Sequence, residues 1–281
     1  MRSIFRGGAC YNLAMFDRSL WRESFGKWPT WPCPACNSVA LTLSDKKGAL
    51  LCEETGSSLR EHDHEAWDPD WISKRFVALL KCHNPTCGEL VGIGGHATVQ
   101  EWQYYDDDGH GQSDYSDHYT PTFFDHAPPI FPIPEQCPAA VKAHLTAAFA
   151  LIWFDVGSAA NRMRAGVEAL LDDQRIQKSK SGSKRRQYLT THVRIEKLEV
   201  KHAEAAGYLM AIKWLGNTGS HGATTNLSRE DLLNAAEFFE AAVDLLYVKR
   251  VTKIRQLASE INRRKGPKKR RRRRNDGDAP F

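Results

Sequence analysis

Two pairs of cysteines and one histidine are the groups in this chain whose types and spacing could do chemistry. Cys33-Pro34-Ala35-Cys36 and Cys82-His83-Asn84-Pro85-Thr86-Cys87 each place two thiols at the ends of a short, proline-bearing turn. Thiolates are soft donors, and two such turns brought together supply the tetrahedron that zinc takes in structural sites. The first pair has the usual two intervening residues and the second a looser four. His83 is positioned to replace Cys82 if the second turn folds differently. Four thiolates leave no place for a catalytic water, so the expected role of zinc is structural. The plain alternative is free thiols at unrelated turns. Cys10, Cys52 and Cys137 have no partner at a metal-binding spacing and read as small buried hydrophobes.

The histidine is His221, at the end of Gly216-Asn217-Thr218-Gly219-Ser220-His221. This polar stretch separates two segments of helical pattern, and Gly-Asn suits a turn because both residues tolerate positive φ. A turn does not need the imidazole. The ring titrates near neutral pH and both donates and accepts hydrogen bonds. By itself, a histidine at a corner more often satisfies a backbone carbonyl.

The elements that must position these groups follow from pattern and composition. The 281 residues are 41% hydrophobic with eight Trp, enough for a substantial core. No stretch reaches the roughly 20 apolar residues of a membrane span. The opening residues carry charge without an apolar run behind it, unlike a signal peptide, and the expected compartment is the cytoplasm. Seven cysteines, an odd count, then favour metal or free thiols over disulfides. Leu13, Phe16, Leu20, Trp21 and Phe25 recur at helical spacing, so a leading helix is expected before Pro29 and Pro32. Short strands are expected at Val39–Leu43, Ala49–Cys52, Arg75–Leu80 and Leu90–Ile93, with 57–70 as an exposed insertion. Residues 101–138 read as a connector, acidic and Tyr-rich at first and Pro-rich from Ala127 to Pro138, where helix is forbidden. The acidic part, Asp106, Asp107, Asp108, His110, Asp114, Asp117 and His118, reads as a solvated loop, with cation binding the alternative.

Beyond Pro138 the pattern is helical. Val141, Leu145, Ala148 and Ile152 mark one stripe, and Ala160, Met163, Val167, Leu170 and Leu171 the next. A basic loop spans Gln177 to Arg186, with short helices expected over Leu189–Leu198 and Ala203–Leu215. Ser228-Arg229-Glu230-Asp231 is a capping box opening a long last helix. The fold class is therefore α+β: a β-rich zinc ribbon with its leading helix over 1–100, the connector over 101–138, a helical bundle over 139–262, and a tail over 263–281.

Ser158-Ala159-Ala160-Asn161-Arg162-Met163-Arg164-Ala165-Gly166-Val167-Glu168, the Lys213 to His221 stretch and the Asp231-Leu232-Leu233 helix start resemble the bacterial domain of unknown function 4145. That family is similar to the HEPN superfamily, helical bundles rich in RNases, toxins and phage-defence effectors. The resemblance implies a HEPN-like bundle over about 139–250. It also implies a site with an Arg, a polar neighbour and a His four to six residues beyond the Arg, two protomers lining one cleft. On this chain the His is His221 and the polar neighbour Asn217, while Gly216 stands at the Arg position. Lys213 and Arg164 are the candidate cations in its place. Such a site works without metal: an imidazole assists attack of a 2′-hydroxyl on phosphorus and a cation steadies the phosphorane. Arg164 and Glu168, four apart, also suit an ordinary helical ion pair.

The net charge of +5 comes from one place. Arg263, Arg264, Lys265, Lys268, Lys269, Arg270, Arg271, Arg272, Arg273 and Arg274 lie near the C-terminus; the other 29 Lys and Arg face 34 Asp and Glu, a net of −5. Lys268 to Arg274 cannot pack and is expected to bind nucleic-acid phosphates, RNA before DNA, without sequence preference. An acidic protein is the alternative partner. Together these features describe a nucleic-acid-associated defence or stress protein, homodimeric through its bundle and accessory rather than catalytic. A metal-independent RNase using His221 is the alternative. A structural partner of a restriction or toxin system is a third.

Overall fold

The computed structural model describes residues 15–105, 109–180, 187–220, 227–248 and 250–265. The strands are β1 (Trp31–Pro32), β2 (Val39–Leu43), β3 (Leu50–Glu54), β4 (Ser73–Cys82), β5 (Leu90–Tyr105) and β6 (Gly111–Phe124), with a short helix α1 (Gly56–Glu61) between β3 and β4. They form one antiparallel sheet in the order β1-β2-β4-β5-β6, curled into a half-barrel. β2 and β3 pair in tandem along the same edge of β4, Leu41 opposite Cys82 and Cys52 opposite Phe76. Side-chain alternation sets the faces. In β4, Phe76, Ala78, Leu80 and Cys82 are buried while Arg75 and Val77 point to solvent.

Three expectations are corrected in this half. Among the described residues, the leading helix is only a 3₁₀ turn, Arg18–Trp21, capped by Asp17. Its apolar spacing serves docking: Trp21 and Trp31 are fully buried, and Phe25 exchanges backbone hydrogen bonds with Tyr119 of 3.0 and 2.8 Å. The cysteine turns belong to a six-stranded sheet, larger than a small ribbon. Residues 101–105 and 111–124, expected as connector, are strand. After a register shift between Gly94 and Gly95, their aromatic and hydroxyl residues pair without interruption from Gly95 opposite Pro121 out to Tyr105 opposite Gly111. Aromatic and β-branched side chains suit a pleated surface even where little core lies beneath.

The second half is helical: α2 (Ala139–Leu151), α3 (Val156–Asp173), α4 (Thr191–Glu199), α5 (Ala203–Ser220), α6 (Arg229–Val243) and α7 (Arg250–Arg264). The stripes read from sequence are the buried faces, from Val141 to Ile152 and from Ala160 to Leu171. Asp155 caps α3, its carboxylate accepting from the Ser158 amide at 3.1 Å. The capping box of Ser228 and Asp231 opens α6 as its sequence dictates. The long last helix is not continuous, because a π turn at Asp244–Val248 separates α6 from α7.

One buried cluster runs through both halves. The Pro-rich segment between them forms neither helix nor strand, in keeping with its prolines, and it lies inside: Ile130 and Phe131 are fully buried, Phe131 against Phe149 at 5.3 Å. Trp153 continues the core into the sheet, 4.7 Å from Phe124 and 6.3 Å from Trp31 between ring centroids. Arg18 reaches across to α6, where it meets Glu230, Glu237 and, at 2.8 Å, Asn234.

Candidate functional site

Strand ends bring the four cysteines together. Cys33 and Cys36 occupy the turn between β1 and β2; Cys82 ends β4 and Cys87 precedes β5. Each turn closes on backbone hydrogen bonds, Asn37 to Cys33 at 2.8 Å and Cys87 to Asn84 at 2.9 Å. Gly88 leaves the second turn at φ +68°, a conformation open to glycine without a Cβ penalty. The two turns are stitched by the His83 amide donating to Ala40 at 2.8 Å. All four sulfurs lie within 4.8 Å of one another. The Cys33–Cys87 and Cys36–Cys82 separations are both 3.8 Å. Bonds of about 2.3 Å from a central zinc to tetrahedral thiolates require sulfur–sulfur edges of about 3.8 Å. The donor set therefore fits a metal ion. His83 is exposed and lies outside the cluster, so Cys82 is the donor.

The thiols do not share one environment. Burial pushes Cys33 up to about 12 and raises Cys82 as well. Desolvation also opposes ionisation of Cys36, but hydrogen bonds from Ser38 and Asn84 outweigh it and hold that thiol at about 6. The Asn84 amide reaches Cys36 Sγ at 3.6 Å and Ser38 Oγ at 3.1 Å, joining one turn to the other. Such donors to a thiolate orient it for a metal.

The second place is a crossing of α3 and α5. The turn expected at Gly216-Asn217 is corrected: α5 runs through both residues to Ser220. Gly216 is there because α3 leaves no room for a side chain. A Cβ would sit 2.7 Å from Arg164 Cβ and 3.0 Å from the Ala160 carbonyl oxygen. Arg164 lies across this contact and donates from Nη1 to Asn217 Oδ1 at 3.0 Å. Its Nη2 is 3.5 Å from Glu168 Oε1, the helical ion pair that the spacing suggested. Glu168 in turn accepts from Thr191 Oγ1 at 2.8 Å, which ties in α4. The structure thus brings Arg164 and Asn217 together, with the guanidinium side chain about one-third exposed. Lys213 is buried, its ammonium 3.2 Å from the centroid of the Trp214 ring. His221 and the basic run Lys268, Lys269 and Arg270 to Arg274 lie outside the described residues.

A third cluster had no signature in the sequence. Lys74 of β4 and Asp117 of β6, both about one-quarter exposed, pair at 2.6 Å. The Tyr119 hydroxyl, pushed up to about 12 by burial and then by Asp117, sits beside them. Sequence distance hid the group: strand pairing alone brings β4 and β6 to the two sides of β5.

These features define a two-part chain, an antiparallel half-barrel bearing a four-cysteine cluster followed by a packed set of helices. Two family models match it. A domain of unknown function, DUF8608, covers residues 23–124, and a domain of unknown function, DUF4145, covers residues 146–264. The first ends where β6 ends and the second begins within α2, so the buried Pro-rich segment falls between them. No curated protein and no solved structure matches the chain. Among the described residues, no helix is long and apolar enough to cross a membrane.

Proposed function

We propose that this chain is a nucleic-acid-binding accessory protein of the cytoplasm, with a zinc-braced β half and a HEPN-like helical half that pairs two copies. The observation that carries the reading is α7. From Ile254 to Lys265 every residue is exposed, including Arg255, Arg263, Arg264 and Lys265. The sequence then continues directly into Lys268, Lys269 and five arginines. A basic run at the end of an exposed helix, on a chain otherwise net acidic, is suited to releasing counterions from a phosphate backbone. Zinc is the metal that four thiolates at tetrahedral spacing suit best, and with its shell filled it braces the β half and does no chemistry.

One observation favours a second reading, a metal-independent RNase. Arg164 restores a cation beside Asn217, in the space that a side chain at position 216 would have filled. In that reading Arg164 steadies charge on phosphorus, Asn217 orients it, and His221 moves the proton. Glu168, held on the same guanidinium, weakens this by competing for the cation.

Fluorescence anisotropy of a labelled single-stranded RNA separates the readings. The full chain should bind with an affinity falling steeply with salt, roughly 0.7 in log affinity per log salt for each phosphate contact. Replacing Arg270–Arg274 by serine should flatten that slope, and a salt-insensitive affinity refutes the basic-arm reading. Cleavage in EDTA that is lost in His221→Ala and Arg164→Ala establishes the RNase instead.

A further inference from the structure

The outer half of the β5–β6 hairpin carries aromatic rings that have no core to serve. Trp102, Tyr104, Tyr105 and Tyr115 are 48%, 42%, 81% and 47% exposed. Side chains two apart on a strand share a face, so Trp102 and Tyr104 stand together, ring centroids 5.0 Å apart. Tyr105 and Tyr115 lie on the other face by the same register, Glu101 being opposite Tyr115. A cleft of about 210 Å³ opens between Tyr104, Tyr105, Gln103 and Gly111 to Ser113. Exposed rings gathered on one arm are the usual mark of a contact surface.

The charge around them selects the occupant. Residues 99–118 hold six carboxylates and no Lys or Arg. A phosphate backbone is repelled by such an arm, although the rings alone would suit base stacking. A guanidinium is the group that satisfies both features, since it stacks on an aromatic face and donates to carboxylates. This chain contains such a partner: the sixteen residues from Gly266 to Phe281, with five consecutive arginines and two lysines. Extended, they reach about 50 Å from the end of α7.

We propose that residues 266–281 dock on the aromatic arm, with guanidinium groups of Arg270–Arg274 stacked on Trp102 and Tyr104 and paired to Asp114, which stands opposite Trp102 on the same face. The contact does not require nucleic acid, and its existence is independent of the function proposed above. Where the tail also binds phosphate, docking withholds the same arginines, so that arm and nucleic acid compete.

The test uses full-length protein whose own Arg270–Arg274 are serine, titrated with a fluorescent peptide of residues 266–281. Saturable binding is expected at low salt, with about ten-fold weaker binding to the Trp102→Ala/Tyr104→Ala variant. A peptide carrying Lys in place of the five arginines should also bind more weakly, and the unaltered full chain should bind less peptide because its own tail competes. Both altered rings are exposed, so the variant should melt with the parent; Asp114→Asn supplies an independent loss. Equal binding by parent and ring variant overturns the proposal. So does single-stranded RNA binding that the ring variant loses while peptide binding persists.

Discussion

Replacing Gly216 by alanine distinguishes a turn from a crossing by the sign of the result. In an exposed helix the change is favourable by about 1 kcal/mol, because glycine loses more backbone freedom on folding. Here the new methyl would stand 2.7 Å from Arg164 Cβ and 3.0 Å from the Ala160 carbonyl oxygen. Neither atom is the free end of a flexible side chain, so α3 and α5 must separate. Overpacking of this kind costs about 1–3 kcal/mol. The net expectation is destabilisation of about 1 kcal/mol, a fall in melting temperature of roughly 2–4 °C for a chain of this size. Separation also draws Arg164 Nη1 away from Asn217 Oδ1, now at 3.0 Å. Arg164→Ala should not rescue Gly216→Ala, since it keeps the Cβ that causes the clash, whereas Arg164→Gly should recover part of the loss. Calorimetry of the four proteins measures this. A higher melting temperature for Gly216→Ala would refute the close crossing and return Gly216 to an ordinary helical or turn position.

Protein purified without chelator should carry zinc in equal molar amount, measured by plasma emission, and Cys33→Ser or Cys82→Ser should abolish retention and lower the melting temperature of the β half. Glu240 is buried in α6, and desolvation, with Glu237 and Asp244 nearby, raises its carboxyl to about 7 against a hydrogen bond from the Met15 amide. A raised acid favours the folded state while protonated, so stability should be fullest below about pH 4.5 and decline as pH rises to about 7. Glu240→Gln should remove that decline and stabilise the protein at pH 8 by on the order of 3 kcal/mol; an unchanged pH slope in denaturant titrations would show that another group sets it.

What could be read from the residues was whatever depends on local period or short spacing. The helical stripes of α2 and α3, the capping box of α6 and the choice of four cysteines each follow from neighbours within a few positions, and each is found in place. Phe16 to Phe25 misled because helical spacing can equally place rings along a 3₁₀ turn and the chain that follows it, as Trp21 and Phe25 do. Glycine misled for a related reason. Its lack of a Cβ serves a positive φ and a close approach alike, and only the position of α3 decides between them at Gly216. The same approach explains why Arg164 could not be assigned from its own helix. Its distance of four from Glu168 is visible in the sequence, but its bond to Asn217 spans 53 residues and depends on how α3 and α5 pack. A glycine at the position where the resemblance leads one to expect arginine is thus a loss when read along one helix. Across two helices it is the opening through which Arg164 reaches Asn217, which makes position 216 and Arg164 one packing unit.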